Sequence, residues 1–203
     1  MTENPGEQVF SSSKFYSVVA EAIDFFSKIP IHELPPAAGF TGAGVYGLYY
    51  KGDFEEYHRI TEMNKVSLVQ PIYVGKTVPE GWRKARITKV TSKSLYKRLQ
   101  EHAKNINLAN NLRCEDFKCR CMVFGEMEME LIGVVEAQLI RRYNPLWNTV
   151  IDGFGNHDPG GGHYNQAKSD WDVLHPGRPW GDKLMGAAPS LDRVIRKVRQ
   201  HFG

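Results

Sequence analysis

"PIYVGKT", residues 71–77, ends like a phosphate-cradling loop, because Gly75-Lys76-Thr77 matches the close of G-x-x-x-x-G-K-[ST]. Such a loop needs a second glycine five positions earlier, where the chain must turn so that its backbone N–H groups wrap the phosphates. That position is Gln70, so a nucleotide cofactor is not expected. What remains is a short β-favouring run, Ile72-Tyr73-Val74, closed by a glycine and a lysine. The question becomes what a strand-borne tyrosine next to a lysine is for.

Working outward, "GAGVYGLYY" (42–50) reads as a strand preceding it, and the 21 residues "KGDFEEYHRITEMNKVSLVQP" are too many for a tight hairpin. "SLYKRLQEHAKNI" (94–106) predicts a helix with Ser94 as its cap and Leu95, Leu99 and Ile106 as its apolar stripe. Residues 117–124 predict a third strand. A second core helix runs from about Glu126 to Tyr143, stopped by Asn144-Pro145, since the residue before proline avoids the helical region. An N-terminal packing helix is expected in "KFYSVVAEAIDFFSKI", with Phe15, Val18, Val19, Ala22, Ile23 and Phe26 at helical spacing. The core order β, β, α, β, α predicts an α+β fold: a small, mixed or antiparallel three-stranded sheet flanked by helices. We expect one domain over residues 1–203, comprising an N-terminal helical elaboration (1–39), a core (40–150), and a glycine-rich and basic C-terminal elaboration (151–203).

The net charge of +3 is bland, but residues 81–104 carry eight basic side chains against one acid, Glu101. A run of this size is by itself a solvated face, yet it also suits a polyanion. No apolar run approaches the length that spans a bilayer, and residues 1–10 lack a basic start followed by an apolar stretch. A cytoplasmic protein without membrane contact is expected. Three cysteines, Cys114, Cys119 and Cys121, fit neither a disulfide framework nor zinc-finger spacing. Alternation in "DFKCRCMVF" puts Phe117, Cys119, Cys121 and Val123 on one strand face, so Cys119 and Cys121 are read as small packing groups.

Two helical features go beyond packing. Arg98 and His102 stand four apart on one side of a helix and can address one ligand together. Glu136 projects from an apolar face between Ile132 and Ile140, and a carboxylate there needs a cation, whether a side chain or a metal. His157, His163 and His175 lie among glycines and asparagines without a paired cysteine frame, and read as loop contacts to DNA or to a partner subunit, with a second metal site as the alternative.

Gly44-Val45-Tyr46, Tyr73-Val74-Gly75, Arg98 with His102, Glu136 and Asn148, in this order on strand, strand, helix, helix and following loop, resemble the GIY-YIG nuclease superfamily. The flanks "LPPAAGFTGAGVYGLYY" and "LWNTVIDGFGNHDPGGGHYNQAKSDWDVLHPGRPW" are similar to a narrower branch, type II restriction endonucleases cutting CCGCGG. The resemblance implies a site-specific double-strand DNA endonuclease with one Mg²⁺ per active site held by Glu136. It implies Tyr46 as the base for the attacking water, His102 as acceptor of the phenol proton and Arg98 as the phosphate's counter-charge. Tyr73 would hydrogen-bond the scissile phosphate and Asn148 would orient the site, through Glu136 or the substrate. The long insert between the motif strands is a departure from many relatives. Tyr49 and Tyr50 follow closely on Tyr46, which is preferred because it directly follows Gly-Val. A palindrome offers two identical half-sites, so a homodimer is expected. DNA contacts are expected from Lys76, Arg83, Lys84, Arg86, Arg178 and Arg193, with specificity carried by the insert, the basic segment and the residues from 152 onward. A structure-specific repair or homing nuclease, or a non-catalytic nucleic-acid-binding module, remains the alternative.

Overall fold

The structure is a computed structural model that describes residues 9–79, 81–82 and 92–202. Its centre is a four-stranded antiparallel sheet of order β1-β4-β2-β3, built from β1 (His32–Glu33), β2 (Gly44–Tyr50), β3 (Tyr73–Thr77) and β4 (Phe117–Val123). The three expected strands are present, and β1 joins β4 as a two-residue edge that carries no hydrophobic alternation to announce it.

Every residue of β2 is buried, because this central strand is covered on both faces. On one face Tyr46, Leu48 and Tyr50 join Leu95, Leu99, Ala103 and Ile106 of α3 (Ser94–Leu108) and a C-terminal group led by Trp147, Phe154 and Trp171. On the other, Val45 and Val74 meet α1 (Ser13–Lys28) through Ile23 and Phe26, and α4 (Ile132–Tyr143) through Ile132, Val135 and Leu139. Asn144 ends α4 with a left-handed φ of 44°, and its N–H donates to the Ile140 carbonyl at 2.8 Å.

Several local expectations are corrected. Phe15 and Val18 are each 42% exposed, so α1 buries a narrower stripe than its spacing suggests. Ser94 is the first residue of α3 and does not cap it; its hydroxyl donates to the Gly42 carbonyl at 3.2 Å. The second core helix begins as a 3₁₀ turn over Glu126–Leu131. On β4, Cys119 is buried and Cys121 half-buried as expected, but Val123 is exposed at the strand end, while Met122 serves the opposite core.

The insert between β2 and β3 is largely structural. It contains α2 (His58–Met63), its Tyr57 and Ile60 lie in the core, and buried Asn64 closes it. The Asn64 amide donates to the Tyr50 and Gln70 carbonyls at 3.1 and 2.9 Å and accepts from the Val69 and Gln70 N–H groups at 3.1 and 2.9 Å. The C-terminal part adds α5 (Leu146–Thr149), α6 (Asp170–Leu174) and α7 (Leu191–His201), the last burying Val194 and Val198. No described helix is long and apolar enough to cross a membrane.

Candidate active site

Antiparallel pairing sets Tyr46 of β2 opposite Gly75 of β3. The glycine is required by close approach: a Cβ at 75 would lie 2.4 Å from the Tyr46 hydroxyl oxygen and 2.6 Å from Cζ. Tyr46 therefore leans across β3, where its ring stands 6.1 Å from that of Tyr73. Its hydroxyl meets His102 Nε2 of α3 at 2.6 Å, in a pair that is 1% and 0% exposed. His102 Nδ1 is buried without a hydrogen-bond partner among the described residues. The imidazole stacks on Phe154, with ring centres 4.6 Å apart and planes 16° from parallel.

Burial is the main influence on the protonation of this pair. It raises the Tyr46 phenol well above its ordinary value, with Tyr73 adding to the rise and Arg98 opposing it. It lowers His102 well below the usual imidazole value, assisted by Arg98 and Arg178. At neutral pH the pair is therefore a neutral phenol on a neutral imidazole. Tyr73 is likewise raised by burial, against the pull of Arg98 and with a push from Glu136.

Arg98 lies one turn before His102 and is held from three directions. Nη1 donates to Glu101 Oε2 and to His157 Nε2, each at 2.9 Å, and Nη2 donates to the Gly155 carbonyl at 3.1 Å. On the other side of the edge strand, Glu136 of α4 is paired by Lys76 of β3, with side-chain exposures of 16% and 40%. The cation expected for Glu136 is thus a lysine from the motif strand itself. Because Val74 and Lys76 face α4 while Tyr73 and Gly75 face α3, the site straddles β3.

Asn148 has a role the sequence did not disclose. Its amide accepts from the Val74 N–H and donates to the Val74 carbonyl, both at 2.8 Å, so its polar atoms are committed to the β3 backbone and not to Glu136. The structure brings together Tyr46, Tyr73, Arg98, His102, Lys76 and Glu136, with Asn148 bracing the strand they share.

The expected DNA contacts divide. Arg83, Lys84 and Arg86 lie outside the described residues. Arg193 is exposed on α7. Arg178 does not face solvent: it is 1% exposed, donates to the Gly153 carbonyl at 2.9 Å and to that of Phe154, pairs with Asp172 at 3.3 Å, and lies 4.0 Å from the Trp171 ring centre. A guanidinium so engaged cannot read a base edge. His175 is also a core group. Trp147 Nε1 donates to the Tyr57 hydroxyl at 2.8 Å, Tyr57 meets His175 Nε2 at 2.5 Å, and His175 Nδ1 meets Asn111 Oδ1 at 2.9 Å. Burial pushes His175 down to about 3. His163 is exposed, whereas exposed His157 touches Arg98. Reasoning from sequence missed Phe154 and Gly155, whose only sign was a glycine-rich run after the core.

Tyr57–His175 and Tyr46–His102 make a useful contrast. Both are buried tyrosine–histidine pairs, but the first uses both imidazole nitrogens for internal bonds and the second leaves one without a partner among the described residues. No match to the chain is found among curated proteins. The family described as the Eco29kI GIY-YIG domain matches residues 38–202, taking in strands β2, β3 and β4, every residue of the site and the C-terminal helices, and so the chain belongs to this restriction-endonuclease family of nucleases, whose partner is DNA.

Proposed function

We propose that the protein is a type II restriction endonuclease that hydrolyses both strands of a GC-rich palindrome, CCGCGG by resemblance, as a Mg²⁺-dependent homodimer of single nuclease domains. The observation that carries the reading is the 2.6 Å contact between Tyr46 and His102, in a buried pair whose imidazole Nδ1 has no hydrogen-bond partner among the described residues. A phenol held well above its ordinary pKa cannot wait as phenolate. It acts as a base only by passing its own proton on as it takes the water's. His102, neutral because burial depresses it, is the acceptor at Nε2.

Arg98 supplies the fixed positive charge for the phosphoryl oxygens, and the Tyr73 hydroxyl orients the same group. Glu136 fits a hard divalent ion, which takes one or two carboxylates and fills its remaining positions with water and phosphate oxygens. The Lys76 contact supports this fit, because it shows the Glu136 carboxylate turned toward a cation. When bound there, Mg²⁺ supplies charge neutralisation at the leaving 3′ oxygen. Arg193 and the basic segment that includes Arg83, Lys84 and Arg86 are assigned to DNA contact, Arg178 being internal.

The test is to incubate the purified protein with a long DNA and Mg²⁺ and sequence the ends. Discrete ends at one palindrome support the proposal. Cuts confined to junctions or flaps would replace it with a repair nuclease, and DNA shifted in a gel but never cut would replace it with a binding module.

A further inference from the structure

The residues that immobilise Arg98 and His102 include a loop beyond the motif core, 153–157. Its first two carbonyls are gripped by buried Arg178, which is itself fixed by Asp172 and by Trp171. From that anchor the loop sends three groups into the site. Phe154 lies flat on His102 and edge-on to Tyr73, at ring-centre distances of 4.6 and 5.0 Å. The Gly155 carbonyl receives Arg98 Nη2, and His157 Nε2 receives Arg98 Nη1. The loop cannot carry a side chain at 155 without crowding the site, since a Cβ there would stand 3.2 Å from Arg98 Nη2 and 3.3 Å from the Tyr73 hydroxyl.

We infer that His157 is a positioning residue for Arg98: presented by this Arg178-anchored loop, its Nε2 accepts a guanidinium hydrogen and fixes the plane in which Arg98 meets a phosphate. The assignment rests on the nuclease reading for its consequence, though not for its geometry. A guanidinium has five hydrogens in a rigid fork, so acceptors at two of its nitrogens fix which edge stays free. Glu101 cannot do this alone. It lies on the same helix, is about half exposed, and shares Nη1 with His157. The two loop acceptors approach Nη1 and Nη2 separately, from a segment whose anchor, Arg178, lies outside α3. His157 is exposed, so its side chain can be altered without opening the core.

The decisive variants are His157→Ala, which removes the acceptor, and His157→Gln, whose side-chain carbonyl reaches the place of Nε2. With a plasmid carrying CCGCGG and Mg²⁺, His157→Ala is expected to lower kcat by roughly 10- to 100-fold with KM little changed, the effect of a misdirected charge. His157→Gln should recover most of the rate. In an Arg98→Ala background, His157→Ala should add almost nothing, because the two act as one unit. A wild-type rate in His157→Ala, failure of Gln to rescue, or full additivity with Arg98→Ala overturns the inference. Side-chain ¹⁵N NMR of arginine-labelled protein supplies a readout that needs no cleavage. Arg98 Nη resonances that shift and average in His157→Ala and return in His157→Gln support the inference even if wild-type protein cuts no DNA, which would defeat the nuclease reading alone. Arg98 resonances indifferent to both substitutions overturn it whatever the cleavage result.

Discussion

Tyr46→Phe and Tyr49→Phe remove the same atom three residues apart on β2, with opposite expected consequences. Tyr46 loses a hydroxyl 2.6 Å from His102 Nε2. Since His102 Nδ1 already lacks a partner among the described residues, the fully buried imidazole would then have neither nitrogen bonded, at a cost of about 1–3 kcal/mol. Loss of a positioned base is worth roughly 10²–10⁴ in rate, or about 2.7–5.5 kcal/mol of barrier. Tyr49 points to the opposite face, and its hydroxyl is buried with no partner among the described residues. Deleting it removes a desolvated group without breaking a bond, so Tyr49→Phe should be neutral or up to about 1 kcal/mol more stable, and should cleave normally. Single-turnover cleavage with enzyme in excess, together with urea unfolding, measures both quantities. If Tyr49→Phe were the inactive variant, or if Tyr46→Phe cut within tenfold of wild type, the assignment of the base would be wrong.

Further expectations concern the metal ligand, the motif glycine and the acid limit of stability. Glu136→Gln should retain DNA binding in a gel shift and lose cleavage, because an amide of nearly the same shape is a poor Mg²⁺ ligand; near wild-type cutting in Mg²⁺ would remove Glu136 from the site. Gly75→Ala puts a methyl 2.4 Å from the Tyr46 hydroxyl oxygen, so it should cost about 1–3 kcal/mol in urea melts and depress cleavage as Tyr46→Phe does. His175 has a folded pKa of about 3, below its unfolded value, so its contribution is fully present above about pH 6.5 and is lost as pH falls toward 3. Between pH 6.5 and 4.5 that loss is on the order of 2 kcal/mol, and His175→Gln should flatten the stability profile there; equal slopes in variant and wild type would mean that His175 is charged in the native protein.

The core was legible because its elements carry strong periods. The apolar stripe of α3 set Arg98 and His102 on one side, and the flanking isoleucines made Glu136 conspicuous. Partners across the sheet were not legible. Nothing local says that Lys76, three residues past Tyr73 on the same strand, meets Glu136 while Tyr73 faces His102; that follows from β3 being an edge with helices on both sides. Arg178 was misread because an arginine between glycine and proline looks solvent-exposed, whereas two tryptophans and Asp172 enclose it. His175 was misread for the same reason: its neighbours in sequence are loop formers, but its neighbours in space are aromatic. Phe154 and His157 act from a segment with no periodicity, where residue type alone does not reveal direction.

Asn148 has a consequence for how molecules of this protein meet one another. An unpaired sheet border invites a second chain to add itself as another strand. On β3 that invitation is withdrawn: the Asn148 amide occupies both polar groups of the Val74 backbone, and the Trp147 N–H takes the Ile72 carbonyl at 2.9 Å. A side chain thus imitates a neighbouring strand for one residue, protecting the border from fibre-like growth while keeping the tyrosine and lysine beside it accessible. Asn148→Ala should therefore form concentration-dependent aggregates that bind a cross-β dye, beyond any loss of cleavage, and an Asn148→Ala protein that stayed monodisperse in light scattering would show that the border is guarded by other means.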